Sequence, residues 1–353
     1  MKLIYNVILF TFLSFQINAQ TTDVAVGLSS PNGLAVKGNQ MYIAEYGGDK
    51  ISVIDYTGAL PAAATDFVTG LNGPSDLLIV GDFLYVTEFD GGKISKIDLT
   101  ATSPTATTVM SGLAAVTGIE VYGNHIYFAE ADKISRFDYS LSSPTKSTVL
   151  SGFFFPSQLL MNGDTLYVAE GSGDRIFKVD LSAGTLTAVN VVTNVWTASG
   201  IAFNGEDLYY CESMADSITK VDIWSSSPVE SSVLTSLNRP TRLLVTGNDL
   251  YISETDGNKV SKLPVSFASN KKIEKENTLL VYPNPSNDGA FHVRATSNLT
   301  QYAIYNISGE LVIEKTISEP SNEIDFKVEA AGVYMIHLIG DNFSEKRKII
   351  VDN

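Results

Sequence analysis

The chain has 353 residues, a formal net charge of −15, 44% hydrophobic residues and a single cysteine, Cys211. That length supports two or three domains with large buried cores. So acidic a body repels phosphate backbones, which argues against nucleic acid as a partner, and a lone cysteine excludes an intramolecular disulfide.

The first element is a leader. Lys2 precedes an apolar run from Leu3 to Phe15, and Ile17-Asn18-Ala19 stands before Gln20. A basic start, an apolar stretch too short to cross a bilayer and a small residue at the cut predict a secretory signal peptide over residues 1–19. No transmembrane segment is expected in the mature chain.

Residues 20–268 are a repeat array. One phrase recurs six times, as MYIAE, LYVTE, IYFAE, LYVAE, LYYCE and LYISE, and its closing glutamates, Glu45, Glu88, Glu130, Glu170, Glu212 and Glu254, fall 40 to 43 residues apart. That period suits a four-stranded propeller blade or a helix pair. The short β-branched and aromatic runs broken by Gly, Asn, Asp and Pro select the blade. The second blade reads as an inner strand Ser75 to Val80, a second strand Phe83 to Glu88, a third Lys93 to Asp98 and an outer strand Thr107 to Met110. The sixth repeat lacks an outer strand after Leu263-Pro264, and Thr22 to Leu28 matches the missing segment. The N-terminus is therefore expected to close the ring and remove two exposed sheet edges.

The motif P-x-G-[LI], then LYxxE, then I-x-[KRV]-[IFV]-D resembles the six-bladed propellers of the NHL and YWTD type, within the TolB-like superfamily. The resemblance implies an architecture and leaves function open, because that scaffold carries receptors, binding modules, lyases and lactonases.

A Lys-rich linker over 269–278 separates the array from a second domain over 279–353. There, short alternating strands with turns at Ser308-Gly309 and Asp341-Asn342 predict a small immunoglobulin-like β-sandwich of about seven strands. The expected fold is thus all-β, a six-bladed propeller plus a sandwich. The opening VYPNPSNDG and the closing GVYMIHLIGDNFSEKRKIIV resemble the type A C-terminal sorting domain of the Bacteroidota type IX secretion system. This resemblance implies the type IX machinery as a partner and a secreted or outer cell-surface location. His292 and His337 lie in strands here and read as structural.

Candidate sites follow from where the repeat is kept and where it breaks. The six glutamates end second strands on one rim, and either a cation site or a set of structural latches would use them. Neighbouring carboxylates on a circle of roughly 10 Å radius repel by about 0.4 to 1.7 kcal/mol. A charge-assisted bond from a backbone N–H contributes about 1.5 to 3 kcal/mol. A structural ring is therefore expected, with no metal. The aspartates closing third strands, Asp55, Asp98, Asp138, Asp180 and Asp222, are expected in Asx turns.

At the start of the inner strand, Gly33, Gly118 and Gly200 alternate with Asp76, Gln158 and Arg242, and two positions on Glu120 breaks an apolar series. Asp76, Glu120, Gln158 and Arg242 form the candidate polar cluster, either a satisfied structural network or a ligand site. Phe154, Phe155 and Trp196 are candidate flanking aromatics, with Arg242 expected to grip a ligand carboxylate.

Catalytic signals are thin: the propeller's one histidine, His125, sits in a hairpin turn, and no nucleophile triad or HExxH motif is present. No catalytic residue and no cofactor are expected. The reading is a secreted or surface-bound binding module whose partner is a glycan, a small acid or a surface protein. The alternatives are a gluconolactonase-like hydrolase or lactonase requiring Ca2+, and a structural surface component.

Overall fold

The computed structural model describes residues 20–225, 227–265, 280–284, 286–306, 310–340 and 343–352. The expected leader over 1–19, the linker over 269–278 and the turns at Ser308-Gly309 and Asp341-Asn342 lie outside the described residues.

Each repeat forms one four-stranded antiparallel sheet, giving six blades. Inner strands are Pro31–Lys37, Pro74–Val80, Ile119–Tyr122, Pro156–Asn162, Ala198–Asn204 and Pro240–Thr246. The second strands, from Gln40–Glu45 to Asp249–Glu254, are buried almost throughout. This explains why the recurring phrase is a continuous apolar run. Both faces of a blade are covered by neighbouring blades, so the usual alternation of a half-exposed strand is lost. The wedge between the first and second blades shows the packing: Tyr42, Ala44 and Ile51 meet Leu77, Leu84 and Val86.

The ring closes as the sequence predicts. Thr22–Val26 pairs antiparallel with Lys259–Pro264, from Thr22 against Lys262 to Val26 against Lys259. Val24 and Ala25 are fully buried, and Leu28 N–H donates to the Asn258 carbonyl at 3.0 Å. Near the axis the joint is fastened again, where Ser253 Oγ donates to the Asn32 carbonyl at 2.6 Å and Thr255 Oγ1 to that of Pro31 at 2.9 Å.

The chain divides into two compact units at Phe267/Ala268. The second unit is a five-stranded antiparallel sheet folded around its own core of Phe291, Val293, Tyr302, Ile304, Ile336 and Leu338. Its strands Ala290–Asn306 and Leu311–Lys327 each run 17 residues. The register slips between Arg294 and Leu299, so the first half of Ala290–Asn306 pairs with Leu280–Tyr282 and its second half with Gly332–Gly340. Two such long strands account for the seven short ones that the pattern suggests. The opening motif holds the two ends of the unit together. Asn284 Nδ2 donates to the Lys348 carbonyl at 2.8 Å, its Oδ1 accepts from Ile350 N–H at 2.9 Å, and buried Ser286 bridges to Val351. Gly289 has φ of 73°, and a Cβ there would lie 2.0 Å from the Val328 carbonyl oxygen. His292 Nδ1 lies 2.7 Å from Asp325 Oδ1, and His337 faces Lys346 in the ladder.

Removing residues up to Val26 would uncover the edge of Lys259–Pro264 and open the core joining the last and first blades. Such a truncation is expected to lower stability by several kcal/mol and to promote self-association, read by urea denaturation and light scattering. A truncated chain as stable and monomeric as the intact one would contradict closure by this strand.

Candidate functional site

The start of each inner strand is shaped by the same backbone device. Ser30, Gly73, Ala115, Phe155, Thr197 and Arg239 all have φ between 48° and 61°. Only the second blade fills this left-handed position with glycine, so five non-glycine residues are held in a region that costs roughly 1 to 2 kcal/mol each. A β-bulge follows in five of the six blades. The extra residue interrupts strand alternation, and two consecutive positions meet the channel.

The first of them carries Asn32, Ser75, Thr117, Ser157, Ser199 and Thr241, which surround a vestibule of about 340 Å³. Several of these hydroxyls staple blade to blade. Thr117 Oγ1 donates to the Pro156 carbonyl at 2.6 Å, Ser157 Oγ to that of Ser199 at 2.8 Å, and Ser199 Oγ to that of Pro240 at 3.2 Å. Five of the six residues in this ring carry a hydroxyl, and Asn32 an amide. The ring's only signal in the sequence is a small polar residue after Pro31, Pro74, Pro156 and Pro240, with Val116 and Ala198 in place of proline in the third and fifth blades.

The second position carries the alternating layer. A Cβ on Gly33 would lie 2.7 Å from Asp76 Cα, one on Gly118 2.5 Å from the Ser157 carbonyl oxygen, and one on Gly200 3.0 Å from Arg242 Cα. Glycine is required in every second blade because the inner strand of the next blade is in contact. The facing polar residues project toward the axis. Asp76 and Arg242 form a buried two-pronged ion pair, with Nε to Oδ1 at 3.1 Å and Nη2 to Oδ2 at 3.0 Å. Asp76 also accepts from Ile119 N–H at 3.1 Å, and Gln158 Oε1 accepts from Ile201 N–H at 2.9 Å. Burial pushes the Asp76 carboxyl up, against the pull of Arg242. Arg242 Nη1 turns to the Ser157 carbonyl at 3.3 Å. Its fork is therefore engaged within the protein, and the expected bidentate grip on a ligand carboxylate is corrected.

Glu120 stands apart from the pair. It lines a second cavity, of about 480 Å³, with Asp76, Gln158, Arg242 and the aliphatic inner-strand residues that follow them. Its Oε1 accepts from Val121 N–H at 2.8 Å and its Oε2 from Met161 N–H at 3.4 Å. Burial raises its carboxyl to about 7 from an ordinary 4.5. Arg242 lines both cavities.

The aromatics divide. Tyr46, Phe89 and Phe155 line the vestibule, in edge-to-face contacts at 6.3 Å and 6.0 Å between ring centroids. Phe154 and Trp196 are 66% and 67% exposed and stand outside its lining. At Phe154 the backbone N–H turns inward to Glu170 while the ring turns outward. Arg239 and Asp256, 3.6 Å apart, complete the vestibule wall.

Each glutamate of the rim is tied down. Glu45, Glu88, Glu170 and Glu254 accept a backbone N–H from the loop 16 residues earlier, of Ser29, Asn72, Phe154 and Asn238. Lys50, Lys93, Arg175 and Lys259 lie beside the same four, and Lys146 Nζ reaches Glu130 at 2.9 Å. Glu212 accepts from Thr219 Oγ1 at 3.0 Å. Among the described residues no group of three or more His, Cys, Asp or Glu is placed to hold a metal ion. The third-strand aspartates form Asx turns, as with Thr100 N–H to Asp98 at 2.8 Å. Cys211 is fully buried, and burial pushes its thiol up.

Residues 280–352 match the family model of the secretion system C-terminal sorting domain. The chain is thus a β-propeller joined to a type IX sorting domain, which directs export to the cell surface or the medium. No helix among the described residues is long and apolar enough to cross a membrane. No curated protein sequence matches the chain. Similar solved structures include a catalytically inactive virginiamycin B lyase from Staphylococcus aureus with quinupristin, at 19% identity and a TM-score of 0.51 over 78% of this chain and 95% of that one. A luciferin-regenerating enzyme aligns at 10% identity and 0.57 over 69% and 95%. A PQQ-bound aldose sugar dehydrogenase from Streptomyces coelicolor aligns at 15% and 0.55 over 69% and 96%. At these identities the likeness is one of fold.

Two outcomes follow from the axis geometry. Arg242→Met or Asp76→Leu alone leaves a buried charge without its partner and is expected to cost about 3 to 5 kcal/mol, whereas the double variant recovers most of it. Urea denaturation of the four chains measures this, and additive losses would refute the pairing. For Glu120, the folded chain holds its proton up to about 7, whereas the unfolded chain loses it near 4.5. Stability contributed by this site therefore falls as pH rises through that window. Glu120→Gln is expected to be about 3 kcal/mol more stable than the native chain at about pH 8 and equal to it at about pH 4, read by thermal melting.

Proposed function

We propose that the propeller is an extracellular carbohydrate-binding module, delivered by its sorting domain, with the ligand seated in the vestibule. The observation that carries this reading is the pairing of two chemistries in one cavity. Tyr46, Phe89 and Phe155 offer half-buried rings from three different blades, facing Arg239 and Asp256. The apolar faces of sugar rings stack on such aromatics, and their hydroxyls need donors and acceptors at fixed places. Thr117, Ser157 and Ser199 donate to neighbouring carbonyls, so their oxygens keep lone pairs with which to accept from a ligand hydroxyl.

The calcium-dependent alternative finds little support here. A divalent cation at Asp76 would have to displace the guanidinium of Arg242, already bound through both carboxylate oxygens, and Glu120 is bonded instead to backbone N–H groups of its own blade and the next. The module works without a metal in this reading.

Titration of the secreted chain against a glycan panel tests it. A binding glycan is expected, and Phe89→Ala and Tyr46→Ala should each weaken it about tenfold, a loss of about 1.4 kcal/mol, with the melting temperature little changed. Absence of any glycan ligand, or unchanged affinity in both variants, would leave a structural surface component.

A further inference from the structure

The second cavity has a composition that the vestibule lacks. One position of each inner strand faces it: Ala35, Leu78, Leu160, Ala202 and Leu244 are aliphatic, and the third blade supplies Glu120. The side chains of Leu78, Leu160 and Leu244 are only half-buried: each packs on one side against a core between blades and presents the rest of its apolar surface to the cavity.

Charge is unbalanced here. Asp76 is matched by Arg242 at 3.0 Å. Glu120 has no cation within ion-pair distance among the described residues, and its two backbone bonds, at 2.8 Å and 3.4 Å, leave carboxylate lone pairs open. A lone carboxylate among aliphatic walls is unfavourable in water-poor surroundings until a cation joins it. The charge of Asp76 adds repulsion of the same sign. We infer that this cavity binds an aliphatic ammonium ion, its charged head on Glu120 and its hydrocarbon body against Leu78, Leu160 and Leu244.

A volume of about 480 Å³ accommodates a short alkyl chain. The ion pair of Asp76 and Arg242 stands between this cavity and the vestibule, because Asp76 and Gln158 line only the second cavity while Arg242 lines both. The two sites are therefore expected to bind independently.

Isothermal titration of the full secreted chain with n-hexylammonium at about pH 8 tests the inference, with 1-hexanol and hexanoate as isosteres. The ammonium ion is expected to bind at least tenfold more tightly than either. Glu120→Gln should lower its affinity tenfold or more while the chain stays folded by melting temperature, and Leu160→Trp, which fills the cavity, should abolish binding. Affinity should fall on acidification with a midpoint near 7, as Glu120 gains its proton. The titratable groups facing Glu120 are Asp76 and Arg242 across the cavity, Tyr127 opposite it in the ladder and His125 at the hairpin end. His125→Asn should leave the pH dependence in place. Equal binding of hexanol, no binding of the ammonium ion, or unchanged affinity in Glu120→Gln would overturn the proposal.

Discussion

Close approach of neighbouring inner strands governs this propeller. Around a narrow axis, not every strand can carry a side chain in the same layer. Gly33, Gly118 and Gly200 yield that space, and the next blade in each case brings Asp76, Gln158 or Arg242 into it. The six-fold ring is thereby built from three pairs of blades. Two of the polar residues answer the crowding in the same way: Asp76 and Gln158 each accept the N–H of the residue after a glycine, Ile119 and Ile201. Arginine has no acceptor, so Arg242 breaks the three-fold pattern and crosses the axis to Asp76. That one exchange divides the channel into a polar, aromatic-walled vestibule and an aliphatic chamber.

A second ring stabilises the mouth. The turn before each inner strand holds a left-handed residue, and in four blades a glutamate carboxylate fixes the adjacent N–H. Strain in the turn is thus opposed by a charge-assisted bond, itself supported from outside by a Lys or Arg. Six carboxylates can share one rim because each is bonded locally and five have a cation beside them. The same turns aim Ser30, Phe155 and Arg239 into the vestibule. The machinery that closes the blades therefore also sets the geometry of the cavity.

The two domains were legible to different degrees for a physical reason. Strand runs, turn residues and the forty-residue period are local properties, and they specified the blades and the closing strand from sequence alone, whereas the sorting domain was legible through the resemblance of its opening and closing motifs. The position where the repeat breaks was also visible, since a carboxylate at Glu120 within an apolar series stands out without coordinates. Only the tertiary structure decided which of these polar residues meet. Arg242 and Asp76 are 166 residues apart in the chain, and nothing local distinguishes Asp76 from Glu120 as the partner. Phe154 and Phe155 are adjacent and chemically identical, yet one ring lines the vestibule and the other faces solvent, because a left-handed turn reverses consecutive side chains. Pairing across the axis and side-chain direction after a strained turn depend on how the ring closes, which the sequence encodes only through the fold as a whole.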